Sequence, residues 1–353
     1  MRRIFVIIIF FGIFLFIAYT LVQKPDNNVL LTMFPKPSNI SQATLKNLFD
    51  SNNNRTVLRN LFDIKVQNNS IFFLDTSLKD YQHKTVTIHR RVSCALESAA
   101  LHHRNRTIYY VYVGRYPEAA MDTNDINLKP ILMYENVQIV YVKIDDLVEN
   151  TEIEELIKKG SIQKSNYYVE HFKDAFCVIL LRKYGGVYMD GDVIILRSLD
   201  ELGGNFVGKE SEEVLGTAIL AFNQSGYQFL TSLLNDLNDN YNPKSWGGNG
   251  PYLFTRGVKK LCGTTSNFSH NECDYLKIFS ENYFFPVYYE DWKQLFDPKY
   301  TEGILEITKN SYMIHFWNKL SHEWILDVKS DAPYVTFAKK HCPKTISIQN
   351  ESF

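Results

Sequence analysis

The stretch Lys183–Asp200 reads KYGGVYMDGDVIILRSLD, and the interpretation of the fold depends on it. An apolar run, VYM, ends at Asp190, and Gly191 and Asp192 follow before a second apolar run, VIIL. Asp-Gly between two apolar runs is a strong hairpin signal, and Gly191 would take positive φ there without strain. The alternative is a pair of carboxylates that holds a metal ion. The tripeptide alone leaves both interpretations open.

The segment before this stretch predicts a helix. In residues 167–186, YYVEHFKDAFCVILLRKYGG, apolar side chains recur at helical spacing. Arg182 and Lys183 lie in the predicted last turn, and Gly185 follows where a left-handed cap residue belongs. A helix that leads into a strand indicates an α/β sheet, whose ligand crevice lies at the carboxyl ends of its strands. Asp190 follows such an end.

Strand and helix patterns alternate upstream of this helix, which predicts an α/β fold with parallel strands in a single folded domain, residues 70–353. The strand patterns are SIFFLD at 70–75, TIYYVYVG at 107–114 and VQIVYVKID at 137–145, and the helical pattern is SCALESAALHH at 93–103.

The N-terminal region predicts a membrane anchor. Residues 4–22 form an uncharged apolar run, IFVIIIFFGIFLFIAYTLV, which is long enough to cross a bilayer and too long for a cleaved signal peptide. Basic residues precede it, so residues 1–3 are expected in the cytosol and the bulk of the chain in the lumen. Residues 23–69 are rich in Asn and interrupted by Pro, and we interpret them as a stem.

Glycosylation sequons support the secretory pathway, because they mark exposed loops of lumenal or secreted proteins. The chain carries seven, which begin at Asn39, Asn54, Asn68, Asn105, Asn223, Asn267 and Asn350. The formal net charge is −1 and the basic residues are scattered, so nucleic acid is excluded as an expected partner.

The five cysteines fit an oxidising compartment without fixing their pairing. Cys262 and Cys273 bracket a polar loop, and a short bridge between them is plausible. Cys94 and Cys342 are the next candidates, which leaves Cys177 as the expected free thiol. No cysteine or histidine cluster suggests zinc.

The two aspartates of the opening stretch have the chemistry of a metal site. In an extended segment, residues i and i+2 point to the same face, so Asp190 and Asp192 would present two carboxylates together. A hard divalent cation removes their mutual repulsion and leaves coordination positions for diphosphate oxygens. The pattern therefore suits a sugar-nucleotide diphosphate.

Five blocks in this order resemble the α1,4-glycosyltransferases that carry a D-x-D motif, and the resemblance extends from Ser70 to Cys342. They are KDAFCVILLRKYGGVYMDGDVIILRSL, AILAFN, WGGNGPYLFTR, DWKQLF and IHFWNK. The resemblance implies a type II Golgi membrane enzyme with a GT-A-like fold. It also implies a UDP-sugar donor, a divalent metal that is usually Mn²⁺, and transfer with retention of anomeric configuration.

The resemblance assigns the motif aspartates to Asp190 and Asp192, which we take as the catalytic pair. Asp192 is the better candidate for direct metal coordination, and Asp190 is shared between the metal and the ribose. His315 is either a metal ligand or a core histidine. Asp174, on the preceding helix, either contacts the nucleotide or holds Lys173.

Three further residues are candidates for nucleotide or sugar binding: Asn249, Gly250 and Trp317. Trp317 could stack on a sugar face, although most aromatic residues of this chain are expected in the core. Asn249 or Gly250 caps a helix that begins at Pro251. The exposed N–H groups at the start of this helix, together with Trp246, would orient the acceptor sugar.

We therefore expect a Golgi membrane hexosyltransferase that moves galactose or N-acetylgalactosamine from its UDP donor to a glycosphingolipid and forms an α1,4 bond. The alternative is a sugar- or nucleotide-binding protein that transfers weakly or not at all. Two departures from the resembling enzymes keep it open: Cys177 stands where Arg is common, and Gly216 where Asn is common. Asp291 is a candidate nucleophile or a helix cap.

Overall fold

The computed structural model describes residues 55–78, 85–265, 268 and 272–349, and these form a mixed α/β fold. The α-helices are α1 Arg90–His102, α2 Ile144–Val148, α3 Glu154–Lys158, α4 Tyr168–Tyr184, α5 Tyr227–Asn240, α6 Pro251–Leu261, α7 Glu281–Phe284, α8 Thr301–Ile307, α9 Asn318–Ser321, α10 Pro333–His341 and α11 Pro343–Ser347. Short 3-10 helices lie at Leu61–Asp63, Ile131–Met133, Asp200–Leu202, Gln224–Gly226, Tyr289–Phe296 and Pro298–Tyr300.

The strands belong to one large sheet and two small ones. They are β1 Arg55–Val57, β2 Arg59–Asn60, β3 Ile71–Asp75, β4 Ile108–Gly114, β5 Ala120–Asp122, β6 Val137–Lys143, β7 Gly186–Met189, β8 Val193–Ile195, β9 Phe206–Lys209, β10 Leu215–Phe222, β11 Glu272–Cys273, β12 Leu276–Phe279 and β13 Met313–His315. The large sheet has the order β11-β12-β9-β10-β7-β3-β4-β6-β2, and β1 pairs with β5 and β8 with β13.

The predicted parallel strands form the centre of the large sheet, where β7, β3, β4 and β6 run parallel. The sheet is nevertheless mixed, because β10 pairs antiparallel with both β7 and β9. The α/β class is therefore confirmed, and the purely parallel expectation holds only for the central strands.

Side chains alternate between two apolar layers along the central strands. In β3, Ile71 and Phe73 pack into the layer that contains α1, whereas Phe72 packs into the layer that contains α4, α5 and α6. All three side chains are fully buried. A sheet covered by helices on both faces is the arrangement that near-continuous apolar strands require.

The predicted helix ends are present. Helix α4 ends at Tyr184, and Gly185 caps it with a φ of 68°, a value that favours glycine. Helix α6 begins with Pro251 at its first position, with Gly250 as the preceding cap residue.

The folded part begins before Ser70. Residues 55–57 and 59–60 form β1 and β2, which pair with β5 and β6, although the sequence analysis placed them in the stem. These strands are too short for a sequence pattern to reveal. The apolar run at 4–22 lies outside the described residues, and no helix within the described ranges has the length and apolar character to span a membrane.

Both proposed disulfides are present. Cys94 in α1 bonds to Cys342, which precedes α11, across a sequence separation of 248 residues. Cys262, after α6, bonds to Cys273 across 11 residues. Cys177 is a free, buried thiol, as expected.

Candidate active site

A cavity of ≈ 1040 Å³ lies at the carboxyl ends of the central strands. Residues that follow β3 and β7, among them Thr76 and Asp190, line one side of it. Another part of the lining comes from the C-terminal third of the chain, including Phe285 and Trp317. The location is the one expected for a ligand crevice in an α/β sheet.

The Asp-Gly-Asp segment is not a hairpin turn. Strand β7, before it, lies between β3 and β10, whereas β8, after it, pairs with β13 in a separate sheet. Gly191 also lacks the positive φ that a hairpin would require. A Cβ added at Gly191 would lie 3.0 Å from a methyl group of Val92, so α1 packs closely against this turn.

The turn brings together the three residues that were predicted to bind metal. Potential ligand atoms of Asp190, Asp192 and His315 all lie within 4.8 Å of one another. His315 is supplied by β13, whose pairing with β8 places it opposite Val193. Its Nε2 lies 3.2 Å from Oδ1 of Asp192, and its buried Nδ1 has no hydrogen-bond partner among the described residues. Two carboxylates and an imidazole with a free nitrogen fit a divalent cation.

The electrostatics of this group favour the ionised carboxylate. Burial opposes the charge of Asp192, but the neighbouring His315 and the N–H of Asn318 outweigh it and lower the pKa of Asp192 to about 2. Burial likewise opposes a charge on His315, but Asp192 raises the pKa of His315 above its usual value. Asp192 is therefore an anion before any ligand binds.

Trp317 shapes this site through its backbone. It has a φ of 53°, a left-handed conformation that is strained for a bulky residue. The bend directs the N–H of Asn318 to Oδ2 of Asp192 at 2.6 Å. The indole Nε1 donates to the carbonyl of Val287 at 3.0 Å, and its ring lies 4.2 Å from that of His315. Trp317 lines the cavity, and its backbone bend also positions Asn318 against Asp192. Its predicted role in nucleotide or sugar binding stays a prediction.

Asp190 is held on the opposite side by residues of the sheet and of α4. The hydroxyl of Tyr188 donates to Oδ1 of Asp190 at 2.6 Å, and Nζ of Lys173 lies 3.6 Å from the same oxygen. Lys173 also lies 3.0 Å from Oδ1 of Asp174. Burial alone would lower the pKa of Lys173, but the charges of Asp174 and Asp190 raise it, so Lys173 is a cation.

Two predicted nucleotide ligands have structural roles. The side chain of Asn249 is buried away from the cavity, where it accepts from the N–H of Asn242 at 3.0 Å and donates to its carbonyl at 2.8 Å. Gly250 leaves space for Asp174, since an added Cβ would lie 2.3 Å from its Oδ2. Asn249 therefore stabilises the loop before α6, and Gly250 permits close packing. Asp174 lines the cavity but is buried beside Lys173.

The departures from the resembling enzymes leave the cavity intact. Cys177 is fully buried in the apolar layer around α4 and does not line the cavity, so the thiol itself has no contact with a ligand there. Gly216 leaves space for Phe285, whose nearest ring atom would lie 2.3 Å from an added Cβ. Phe285 is itself a cavity residue.

Sequence reasoning missed two further residues. Glu210 follows β9 and lines the cavity, and burial raises the pKa of its carboxyl group. Arg91, in α1, is buried beneath the cavity and donates to Oδ1 of Asn318, to the carbonyl and Oγ of Ser321 and to the carbonyl of Trp324. Neither residue lies in a motif, so only contacts distant in sequence could have revealed them.

Asp291, the nucleophile considered from sequence, does not line the cavity. It is an exposed residue of the 3-10 helix Tyr289–Phe296, and its Oδ1 accepts from Nε2 of Gln294 at 2.8 Å. This position argues against both interpretations offered for it, since Asp291 lies within the helix rather than before it.

Comparison with known proteins agrees with this geometry. Residues 89–207 match the family model described as glycosyltransferase sugar-binding region containing DXD motif, and residues 222–349 match the alpha 1,4-glycosyltransferase conserved region. The first region contains the Asp-Gly-Asp turn and the second contains His315 and Trp317. Together they define a glycosyltransferase.

Three relatives are similar over most of their length. Lactosylceramide 4-alpha-galactosyltransferase of Mus musculus is 29% identical over 276 residues, 78% of this chain and 75% of the relative. The Pongo pygmaeus protein of the same name is 30% identical over 212 residues, 60% of this chain and 96% of the relative. Alpha-1,4-N-acetylglucosaminyltransferase of Homo sapiens is 25% identical over 261 residues, 72% of this chain and 74% of the relative. The chain belongs to the α1,4-glycosyltransferase family and is a hexosyltransferase.

Proposed function

We propose that this hexosyltransferase moves galactose, or N-acetylgalactosamine, from a UDP donor to the terminal sugar of a glycosphingolipid. The bond formed is α1,4, and the anomeric configuration is retained. The names of two relatives, which act on lactosylceramide and transfer galactose, support this choice of donor and acceptor. We further propose that the mixed sheet with the D-x-D turn at a strand end is a GT-A arrangement.

The observation that carries the proposal is the convergence of Asp190, Asp192 and His315 at the cavity. These residues would hold the divalent cation, which we propose to be Mn²⁺, the ion that the family resemblance implies and that oxygen ligands suit. A bound cation supplies Lewis-acid neutralisation of the charge that develops on the leaving diphosphate. Lys173 is a second cation at the same wall, and it keeps Asp190 and Asp174 from repelling each other.

An aromatic side chain at the cavity supports a sugar acceptor. Trp246 lines the cavity with 46% of its surface exposed, and it precedes Gly247, which also lines the cavity. An exposed indole offers an apolar face for sugar C–H groups together with a polar N–H. We propose that the terminal sugar of the glycolipid rests on Trp246.

We also propose that the chain is a single-pass type II protein of the Golgi membrane, with its catalytic domain in the lumen. The apolar run at 4–22, the basic residues before it and the seven sequons support this arrangement. Protease treatment of sealed microsomes tests the orientation, since the chain beyond Val22 should be protected. Digestion of that part would contradict it.

The variant Asp192→Asn tests the transfer function in the detergent-solubilised full chain. We expect galactose transfer to lactosylceramide to fall by at least about a hundredfold, because the anionic ligand is lost. Manganese binding, measured by calorimetry, should weaken in parallel. Asp327→Asn, a change at an exposed carboxylate, is the matched control and should leave both unchanged. Full activity of Asp192→Asn would refute a metal role for the turn.

A further inference from the structure

Glu210 occupies a fixed position in the cavity wall. It follows β9 directly, and its backbone N–H donates to the carbonyl of Val214 at 2.8 Å. The N–H of Ser211 donates to the same carbonyl at 3.2 Å, so the connection between β9 and β10 is closed by two hydrogen bonds. The partly buried side chain of Glu210 therefore extends from an ordered backbone beside the metal group.

Glu210 differs from the other carboxylates that line the cavity. Each of those has a partner: Asp75 accepts from Ser77, Glu170 pairs with Lys319, Asp174 with Lys173, Asp190 accepts from Tyr188, and Asp192 from Asn318. Within the described residues, the carboxylate of Glu210 makes no hydrogen bond or ion pair. Polar groups in such a position are normally satisfied, so an unpartnered carboxylate in a substrate cavity points to a role with the substrate.

The surroundings of Glu210 suit a nucleophile. Burial withdraws water from the carboxylate and raises its pKa, while the nearby charges of His315 and Lys173 favour its anionic form. A partly desolvated carboxylate attacks carbon more readily than a fully hydrated one. Glu210 thus combines access to the cavity with a carboxylate that, among the residues the structure describes, is left without a hydrogen bond or ion pair.

We propose that Glu210 is the catalytic nucleophile of a two-step transfer. This inference rests on the proposed retaining function and assigns the residue that would produce retention. In the first step, a carboxylate oxygen of Glu210 attacks C1 of the donor sugar. The bond between C1 and the diphosphate oxygen breaks, and its electron pair leaves with UDP.

The second step restores the enzyme. The acceptor hydroxyl attacks C1 of the sugar ester on Glu210, the ester C1–O bond breaks, and its electron pair returns to the carboxylate. The hydroxyl proton passes to an oxygen of the released UDP. Each step inverts C1, so the product has the configuration of the donor.

The variant Glu210→Ala separates this role from donor binding. Transfer by the full chain should fall by at least about a hundredfold, while UDP affinity in the presence of Mn²⁺ stays within about twofold of the parent. Glu213→Ala is the matched control, because Glu213 is exposed in the same connection and should leave transfer unchanged. Calorimetric titration of UDP also reports on folding of each variant.

Azide supplies the decisive readout. A small anion can occupy the space left in Glu210→Ala and attack C1 directly, so the variant should form a β-glycosyl azide from the donor, detectable by mass spectrometry and NMR. Absence of this product, activity above about a tenth of the parent, or a parallel loss of UDP affinity would each overturn the assignment. A parent chain that releases no UDP from UDP-galactose or UDP-N-acetylgalactosamine would instead overturn the proposed function.

Discussion

The two sides of the cavity are built by different kinds of interaction. The strand wall, formed by the ends of β3, β4 and β7, is held by backbone hydrogen bonds, and β3 pairs with a strand on each side. The C-terminal wall, residues 285–324, has one short strand, β13, that pairs with β8, and several single side chains hold the rest of it. Arg91 binds three of its residues, and Asp192 accepts from Asn318.

This difference indicates where a single substitution should destabilise the site most. A ladder distributes its stability over many small backbone contributions, so no single side chain decides it. Helix α1 contacts the C-terminal wall through Arg91 and the residues that follow the wall through Cys94 and Glu97. Glu97 is fully buried and accepts from the N–H groups of Lys344 and Thr345 at the start of α11. Substitutions in α1 should therefore lower the free energy of unfolding more than comparable substitutions elsewhere.

The largest expected effect on stability comes from removal of a disulfide. Removing Cys94–Cys342 with the double variant Cys94→Ser, Cys342→Ser should lower the free energy of unfolding by about 5 kcal/mol, because it closes a long loop. Removing Cys262–Cys273 in the same way should cost about 3 kcal/mol, since its loop is short. Guanidinium denaturation of both variants measures the difference. Equal losses in the free energy of unfolding would mean that the bond between α1 and Cys342 contributes no more stability than the short bridge.

Arg91 tests the same contrast without a covalent bond. Arg91→Met should lower the free energy of unfolding by about 4 kcal/mol, because the buried carbonyl of Ser321 and the partly buried carbonyl of Trp324 lose a charged donor. The matched control is Arg59→Met on the strand side, where the exposed Arg59 donates to Gln138. We expect the control to change stability by less than about 0.5 kcal/mol. Urea denaturation measures the loss of stability in both variants. Similar losses would show that the two walls do not differ in their dependence on single side chains.

A pH effect at the end of α1 should be the smallest of the three. His103 donates from Nδ1 to the carbonyl of Ala99 and accepts the N–H of Leu199 at Nε2, and burial lowers its pKa to about 4. The unfolded state binds the proton first as pH falls below about 6.5, so the stability of the folded state declines between pH 6.5 and 4.

The contribution of His103 over this range is about 3 kcal/mol. In His103→Gln, the loss of stability on going from pH 7 to pH 4 should be smaller than in the parent by about this amount. Denaturation curves at both pH values measure it. An unchanged pH dependence would show that His103 is protonated equally in both states.

The features that the sequence predicted are those with a local pattern. The alternation in β3 and β4, the cap at Gly185 and the D-x-D turn can all be recognised from neighbouring residues. The loop that brackets residues 262–273 likewise indicated its disulfide. The grouping of Asp190, Asp192 and His315 came from matching blocks to a family, because no local pattern connects residues more than a hundred positions apart.

The features that the sequence did not predict depend on depth and distance. Cys177 lies one turn from Asp174, yet it is in the apolar layer, because side chains on one helix face can differ in depth. Glu210 resembles any surface glutamate until the fold places it in the cavity. The left-handed conformation of Trp317 accompanies its own hydrogen bond to Val287 and that of Asn318 to Asp192, and a single sequence does not reveal it.

The bond between Cys94 and Cys342 has a consequence for biosynthesis. Because the ribosome releases Cys342 248 residues after Cys94, the strand wall can fold during translation, whereas the bond between α1 and Cys342 can form only when nearly the whole chain has been made. A premature stop just before Cys342 would preserve every metal-binding residue and every family block. Such a product would still be recognised as a family member from its sequence, yet it would lack the covalent link between α1 and the C-terminal helices.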